Sequence, residues 1–565
     1  MIAPPHADRV FLGGKVLTMD TRSQVVDAIA LHGEHILAIG SDSDIRAFIE
    51  PSTKVTKLQG RTVMPGLIDG HAHMDREGLK GLLPSLAGLN SISALIERVR
   101  EIAAGVPVGQ WVVTMPIGDP PSWAPSEGMY REGRYPNRHD LDRAAPNHPV
   151  LLRTGWGYWS RALPMICVAN TRALRMAGIT RDSVSPTDKL EILRDSQGEP
   201  TGVFLEHEEM PLAEFTLFRD APNFSSDQRM QALAESMRLY NSFGTTGIFE
   251  GHGVAPATIA TYQRLRESNR QTVRAHLVFS PGWSKLDNTD IRGVLREWGN
   301  WLARRGLGDE WLRVAGMYTE VENSSTGRLR ARCAPQTGWA GFCYDSGLPK
   351  KAVLDILGEA ARLKMRISGI WVDLIELFEQ VHAGTQICDL RWTLGHQRVL
   401  NADQIASLAD MGVCITAHAN AHIHHRAEQI LKQVGTAREN EICPLRSLIE
   451  ASVPVSLSTD NVPITLWQPI WLATERITPS GSVIAPDQRL TRMQALQAAT
   501  SGGAWLCEEE NQRGTLEPGK LADFLVLPAD PLTCEGSTLR AMRPDLTIVG
   551  GSVVHQATSN RDNKY

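Results

Sequence analysis

Long apolar runs are missing from this sequence: no segment approaches the roughly 20 uncharged residues that a membrane span needs. The opening stretch MIAPPHADRVFLGG has no basic region leading into an apolar one. Together these two absences give the expectation of a cytoplasmic chain with no membrane partner. Positive charge is not in excess either. The 58 Lys and Arg against 63 Asp and Glu give a formal net charge of -5, which provides no basic footprint for nucleic acid or an anionic surface. The eight cysteines (Cys167, Cys333, Cys343, Cys388, Cys414, Cys443, Cys507 and Cys534) are scattered and form no C-x-x-C pair. They read as reduced, mostly buried thiols and not as a disulfide framework or a zinc knuckle. Internal repeats and low-complexity segments do not stand out.

What is present is an ordinary globular composition, 42% hydrophobic and 21% charged over 565 residues, enough for a large core. The first sixty residues alternate apolar and polar in short runs broken by glycine turns, as in RVFLGGKVLTMD and DAIALHGEHILAIG. The last fifty do the same in GTLEPGKLADFLVLPAD and LTIVGGSVVHQ. These β-rich ends, 1–62 and 506–565, are expected to pair into one small sandwich. Between them, over 63–505, eight apolar strand candidates alternate with segments carrying apolar residues at helical spacing. Strands alternating with helices imply a parallel sheet, and eight such units imply an α/β fold of the (β/α)8 barrel type. Residues from about 77 to 239 exceed one crossover and contain further strand-like runs (WVVTMPIG, HPVLLRTG), so they read as a large insertion after the first barrel strand.

The stretch VMPGLIDGHAHMD ends an apolar strand in His71 and His73. Residues i and i+2 of a strand share a face, so both imidazoles can address one ion, but two histidines are too few to hold it. His396 ends the sixth strand candidate and Asp460 the eighth, and the C-terminal ends of barrel strands are where active sites form. His71, His73, His396 and Asp460 therefore make a zinc-type donor set of nitrogen and oxygen. Asp460 can also take a proton from activated water; its bland alternative is capping the turn in STDNVP. His396 is open between a fourth ligand and a catalytic base or hydrogen-bond donor. In HANAHIHHR, His418 follows the seventh strand and is placed to bind substrate, whereas His422, His424 and His425 are expected on a loop or helix surface. Trp371, Trp339 and the stretch Gly155 to Pro164 offer aromatic surface for an apolar or aromatic substrate ring.

PGLIDGHAH, LSTDNVP and GTLEPGKLADFLVL, in that order, resemble the amidohydrolase superfamily of metal-dependent hydrolases. GEPTGVFLE, GTTGIFE and the insertion are similar to its YtcJ-like branch. The resemblance implies a (β/α)8 barrel with a composite β-sandwich, and a metal at the barrel mouth that activates water to cleave a C–N bond, an amide, carbamoyl or cyclic amide, of a small organic molecule. Two departures accompany it. Tyr318 stands where that family often has a metal-bridging lysine, and Gly369 stands where it usually has the fifth-strand histidine. Their loss predicts one zinc-like divalent ion per chain. Glu250, Glu320 and Glu322 remain open as additional carboxylate ligands. The same scaffold leaves deamination, decarboxylation or hydration open, as well as a metal-poor, non-catalytic binding protein. A homodimer is a family-level expectation.

Overall fold

The computed structural model describes residues 6–124, 127–160, 163–283, 290–322, 324–333 and 339–557. Cys333 lies outside the residues whose side chains are described. Among the other cysteines five are buried, Cys534 is half-buried and Cys388 is exposed, all as free thiols. Among the described residues no helix is long and apolar enough to cross a membrane.

The expected barrel is there. Its strands are Leu67–Asp69, Thr245–Val254, Arg274–Phe279, Leu312–Tyr318, Ile367–Ile370, Thr393–Gly395, Cys414–Ala417 and Val455–Leu457, hydrogen-bonded in that order and parallel. Their burial is nearly continuous, as strands covered on both faces require. The helices between them are amphipathic, for example Lys350–Arg362, which turns Val353, Ile356, Leu357 and Ala360 inward. The chain termini build two further sheets. One joins His35–Gly40, Ala28–His32, Arg9–Leu12 and Lys54–Lys57. The other is composite: Phe524–Leu527 of the C-terminal end pairs antiparallel with Thr62–Pro65 of the N-terminal end. Phe11 and Phe524 meet edge to face between the two sheets, with ring centroids 5.1 Å apart.

Between the first and second barrel strands the chain forms a five-stranded sheet of its own, Leu190–Arg194, Pro200–Glu206, Met165–Ala169, Val150–Leu152 and Val112–Thr114. Trp339, expected near the barrel mouth, is instead wholly buried in the apolar core beneath this insertion, against Trp159 and Phe224.

The barrel closes where its first strand meets its eighth. Gly70 donates its backbone N–H to Leu457 O at 3.0 Å. Asp69, fully buried, accepts from the backbone N–H of His71 and from both the N–H and the hydroxyl of Thr459. Gly70 is required by this close approach, since a Cβ there would lie 2.4 Å from Ser456 Oγ and 3.1 Å from Leu457 O. Gly70→Ala is accordingly expected to destabilise the chain by about 1–3 kcal/mol, the usual cost of overpacking. The check is urea unfolding followed by circular dichroism; a midpoint equal to that of the unaltered chain would show that the seam has slack.

Candidate metal centre

The C-terminal ends of the strands converge on a cluster of imidazoles. His71 and His73 follow the first strand, His252 lies in the second, His396 follows the sixth, His418 follows the seventh and Asp460 follows the eighth. One donor atom from each of His71, His396, His418 and Asp460 lies within 4.8 Å of each of the others. His73 shares its own such groups, with His71 and His252 and with Asp75 and Glu250. The four sequence-predicted ligands are thus neighbours. His71, His396 and Asp460 form a tight group that includes His418, and His73 touches it through Asp460: its Nε2 donates to Asp460 Oδ1 at 3.0 Å. His396 Nε2 is 4.0 Å from Asp460 Oδ2.

The donor chemistry fits a divalent cation of the zinc class. Nε2 of His71 and Nε2 of His418 are buried and have no hydrogen-bond partner, which is costly for polar atoms unless something else satisfies them. Burial pushes both imidazoles below their usual pKa, as it does His396, so each is neutral and offers a lone pair. Burial would raise the Asp460 carboxyl, but the surrounding His396, His73 and His418 outweigh it and hold the group well below the usual carboxylate range. A single ionised carboxylate among neutral imidazoles is the charge pattern that suits a cation.

The backbone around this cluster is held in unusual conformations. Trp371, His396, Asp460 and Asn461 all have left-handed φ, at 73°, 56°, 54° and 57°. Such conformations cost about 1–3 kcal/mol each and gather at functional sites. At Trp371 the turn sets the indole 5.5 Å from the His396 ring. Asn461 ties His73 to the eighth-strand loop, since its Nδ2 donates to His73 O at 2.6 Å. His396 and His418 stack with centroids 3.9 Å apart.

Several groups were not singled out from the sequence. His252 lies flat between Tyr318 and Phe342, with centroids at 4.7 and 4.3 Å. Its signal was its spacing: it falls two residues beyond Glu250 on the same strand, hence on the same face. Arg76, 2% exposed, donates from an Nη to His73 Nδ1 at 3.0 Å and lies 5.3 Å from the rings of Trp156 and Phe342. With Trp156, Trp159, His252, His396 and Asp460 it encloses a cavity of about 10 Å³, room for about one water. A second cavity of about 320 Å³, lined among others by Trp371, Gln397, Arg398 and Ile430, also borders His396.

The carboxylates left open sort as follows. Glu250 is buried, accepts from Met74 N–H at 3.0 Å and from the Tyr262 hydroxyl at 2.8 Å, and is shifted upward by burial. Its Oε2 is 3.9 Å from His73 Nδ1. Glu320 and Glu322 belong to none of the donor groups found among the described residues. A Cβ at Gly369 would sit 2.2 Å from Leu374 Cδ1 and 3.0 Å from the Thr319 carbonyl, so a side chain there would have to displace Leu374. His422, expected at the surface, is buried, because residues Asn420–His425 wind as a π-helical turn that tucks it beneath His418, centroids 6.0 Å apart. His424 and His425, half-buried and exposed, lie farther out on the same turn.

Comparison with known proteins agrees with this architecture. The N-substituted formamide deformylase of Arthrobacter pascens is 26% identical over 98% of this chain and 99% of its own length. The putative amidohydrolase YtcJ of Bacillus subtilis (strain 168) is 23% identical over 97% of this chain and 99% of its own. Among solved structures, an uncharacterized metal-dependent hydrolase from Pyrococcus furiosus has the same fold, with a TM-score of 0.67 at 19% identity over 93% of this chain and 100% of that one. Residues 54–555 match the amidohydrolase family, and with its eight-stranded barrel and histidine-rich mouth the chain belongs to that family.

Proposed function

We propose that this amidohydrolase cleaves the C–N bond of a small organic amide, with water as the nucleophile and one zinc-class ion per chain. The observation that carries this reading is the convergence of His71, His396 and Asp460 at the barrel mouth, with a buried imidazole nitrogen left unpartnered. His71, His396 and Asp460 are the residues that would hold the ion, joined by His73 where the ion takes the place of the proton that its Nε2 donates to Asp460. A divalent ion held there supplies Lewis acidity, which polarises a carbonyl and makes water nucleophilic near neutral pH.

The chain's own groups supply the rest. Asp460, ionised and facing His73 and His396, takes the proton that water loses as its oxygen bonds to the carbonyl carbon. When the C–N bond breaks, the same proton passes to the departing nitrogen, so the products are a carboxylic acid and an amine. The cavity enclosed by Trp156, Trp159 and Arg76 excludes bulk water from the acyl carbon, and the larger cavity beside Trp371 accommodates the nitrogen substituent. Because the Arthrobacter pascens relative is named for N-substituted formamides, these head the substrate panel.

Two outcomes test this. Chain purified without chelator is expected to carry about one equivalent of divalent metal by elemental analysis, and His71→Ala to lose most of it; unchanged metal content in that variant would remove the site. Asp460→Asn is expected to lower kcat for amine release about 10²–10⁴-fold, the usual weight of a general acid–base group. Turnover within tenfold of the unaltered chain would take the proton transfer away from Asp460, and release of ammonia or carbon dioxide in place of an amine would point to a different reaction.

A further inference from the structure

We infer that His418 is a direct ligand of the metal, supplied by the seventh barrel strand in place of the fourth- and fifth-strand donors that this chain lacks. The inference rests on the metal-dependent reading above and specifies the site's composition.

Three independent features lead to it. The first is position. His418 lies one residue past the strand Cys414–Ala417, and its donor nitrogen is within 4.8 Å of those of His71 and His396 and of an Asp460 oxygen. The second is the state of its two nitrogens. Nδ1 lies 2.9 Å from Thr416 O and 3.2 Å from the backbone N of His396. The carbonyl can only accept and the N–H can only donate, so Nδ1 serves one or the other according to which ring nitrogen holds the proton. With the proton on Nδ1 and the Thr416 carbonyl as its acceptor, Nε2 presents a lone pair, and this atom is buried with no hydrogen-bond partner. A neutral imidazole whose far nitrogen is anchored on a backbone carbonyl is how proteins orient a histidine for a metal.

The third feature is what the other strands have given up. The fourth strand ends in Tyr318, whose ring is spent stacking on His252. The fifth carries Gly369, where Leu374 and the Thr319 carbonyl occupy the space a side chain would need. No described residue on either strand joins a donor group. The neighbouring sixth and seventh strands do bring donors to the mouth, where His396 and His418 stack. His422 packs behind His418 and restricts its ring from turning away.

The test replaces His418 with a donor that has its own optical signature. The full chain is loaded with Co(II), and His418→Cys is compared with the unaltered chain and with His418→Gln, the folding of each being checked by circular dichroism. The expected result is a thiolate-to-cobalt charge-transfer band in the near ultraviolet for His418→Cys only, and Co(II) binding weakened at least tenfold in His418→Gln by chelator competition. Folded His418→Cys that binds one Co(II) without that band, or His418→Gln with unaltered affinity, would overturn the assignment. An unaltered chain that binds no Co(II) would defeat the metal-dependent reading itself. A silent His418→Cys beside a cobalt-loaded unaltered chain defeats the role of His418 alone.

Discussion

The Asp69 carboxylate lies wholly buried in the seam between the first and eighth barrel strands, and the two ends of the site depend on how it is satisfied. Burial pushes its pKa up to about 6, against the hydrogen bonds it accepts from Thr459 and from the backbone of His71. The bonds from Thr459 join segments separated by 390 residues of sequence. They fix the peptide that carries His71 and the turn that carries Asp460, and the Asp460 N–H then donates to His71 O at 3.1 Å. An unsatisfied buried carboxylate would be far costlier than any one of these bonds, so the seam closes in one register or not at all. The conjunction of His71 with Asp460 is therefore a consequence of barrel closure.

With that seam in place, the strained turns at Trp371, His396 and Asp460 become affordable to the fold and useful to the site. A left-handed residue at a strand end reverses the chain sharply and lets its side chain point across the barrel mouth instead of along the strand. Three such reversals, after the fifth, sixth and eighth strands, aim an indole, an imidazole and a carboxylate at the same region. The insertion covers it from above through Trp156 and Trp159, so the polar groups below are desolvated and their interactions strengthened.

Much of this was legible in the sequence. Eight apolar runs separated by helical periodicity located all eight strands, and the alternation at both ends located the sheet that joins the termini. His71, His73, His396 and Asp460 could be placed because each ends a strand, where position alone implies orientation. The same argument failed wherever the chain leaves the strand in an irregular way. The second strand runs on to Val254, so it carries His252 as well as Glu250 to the mouth. The π-helical turn after His418 buries His422 in a register that no helical or extended periodicity predicts. Trp339 belongs to the core of the insertion, a contact across 185 residues with Thr154 that composition does not reveal. Arg76 and Asp75 sit in a short helix whose functional face is set only by the neighbouring insertion.

Charge balance at the mouth bears on the single ion proposed above. Two divalent cations side by side need several anionic ligands to offset their repulsion, and a carboxylated lysine with an aspartate would provide them. Here the tight group offers one ionised carboxylate, Asp460, and three imidazoles that burial keeps neutral. Two further acids stand beside it, in the donor group that Asp75 and Glu250 form with His73. Glu250 is shifted by burial toward its protonated form and hydrogen-bonded to Tyr262, and Asp75 faces the Arg76 guanidinium at 3.6 Å. One cation with one carboxylate leaves a single positive charge, which an ionised water or a developing oxyanion would neutralise. Tyrosine and glycine on the fourth and fifth strands bring no donor to the mouth among the described residues, and the tight group is drawn from the first, sixth, seventh and eighth strands.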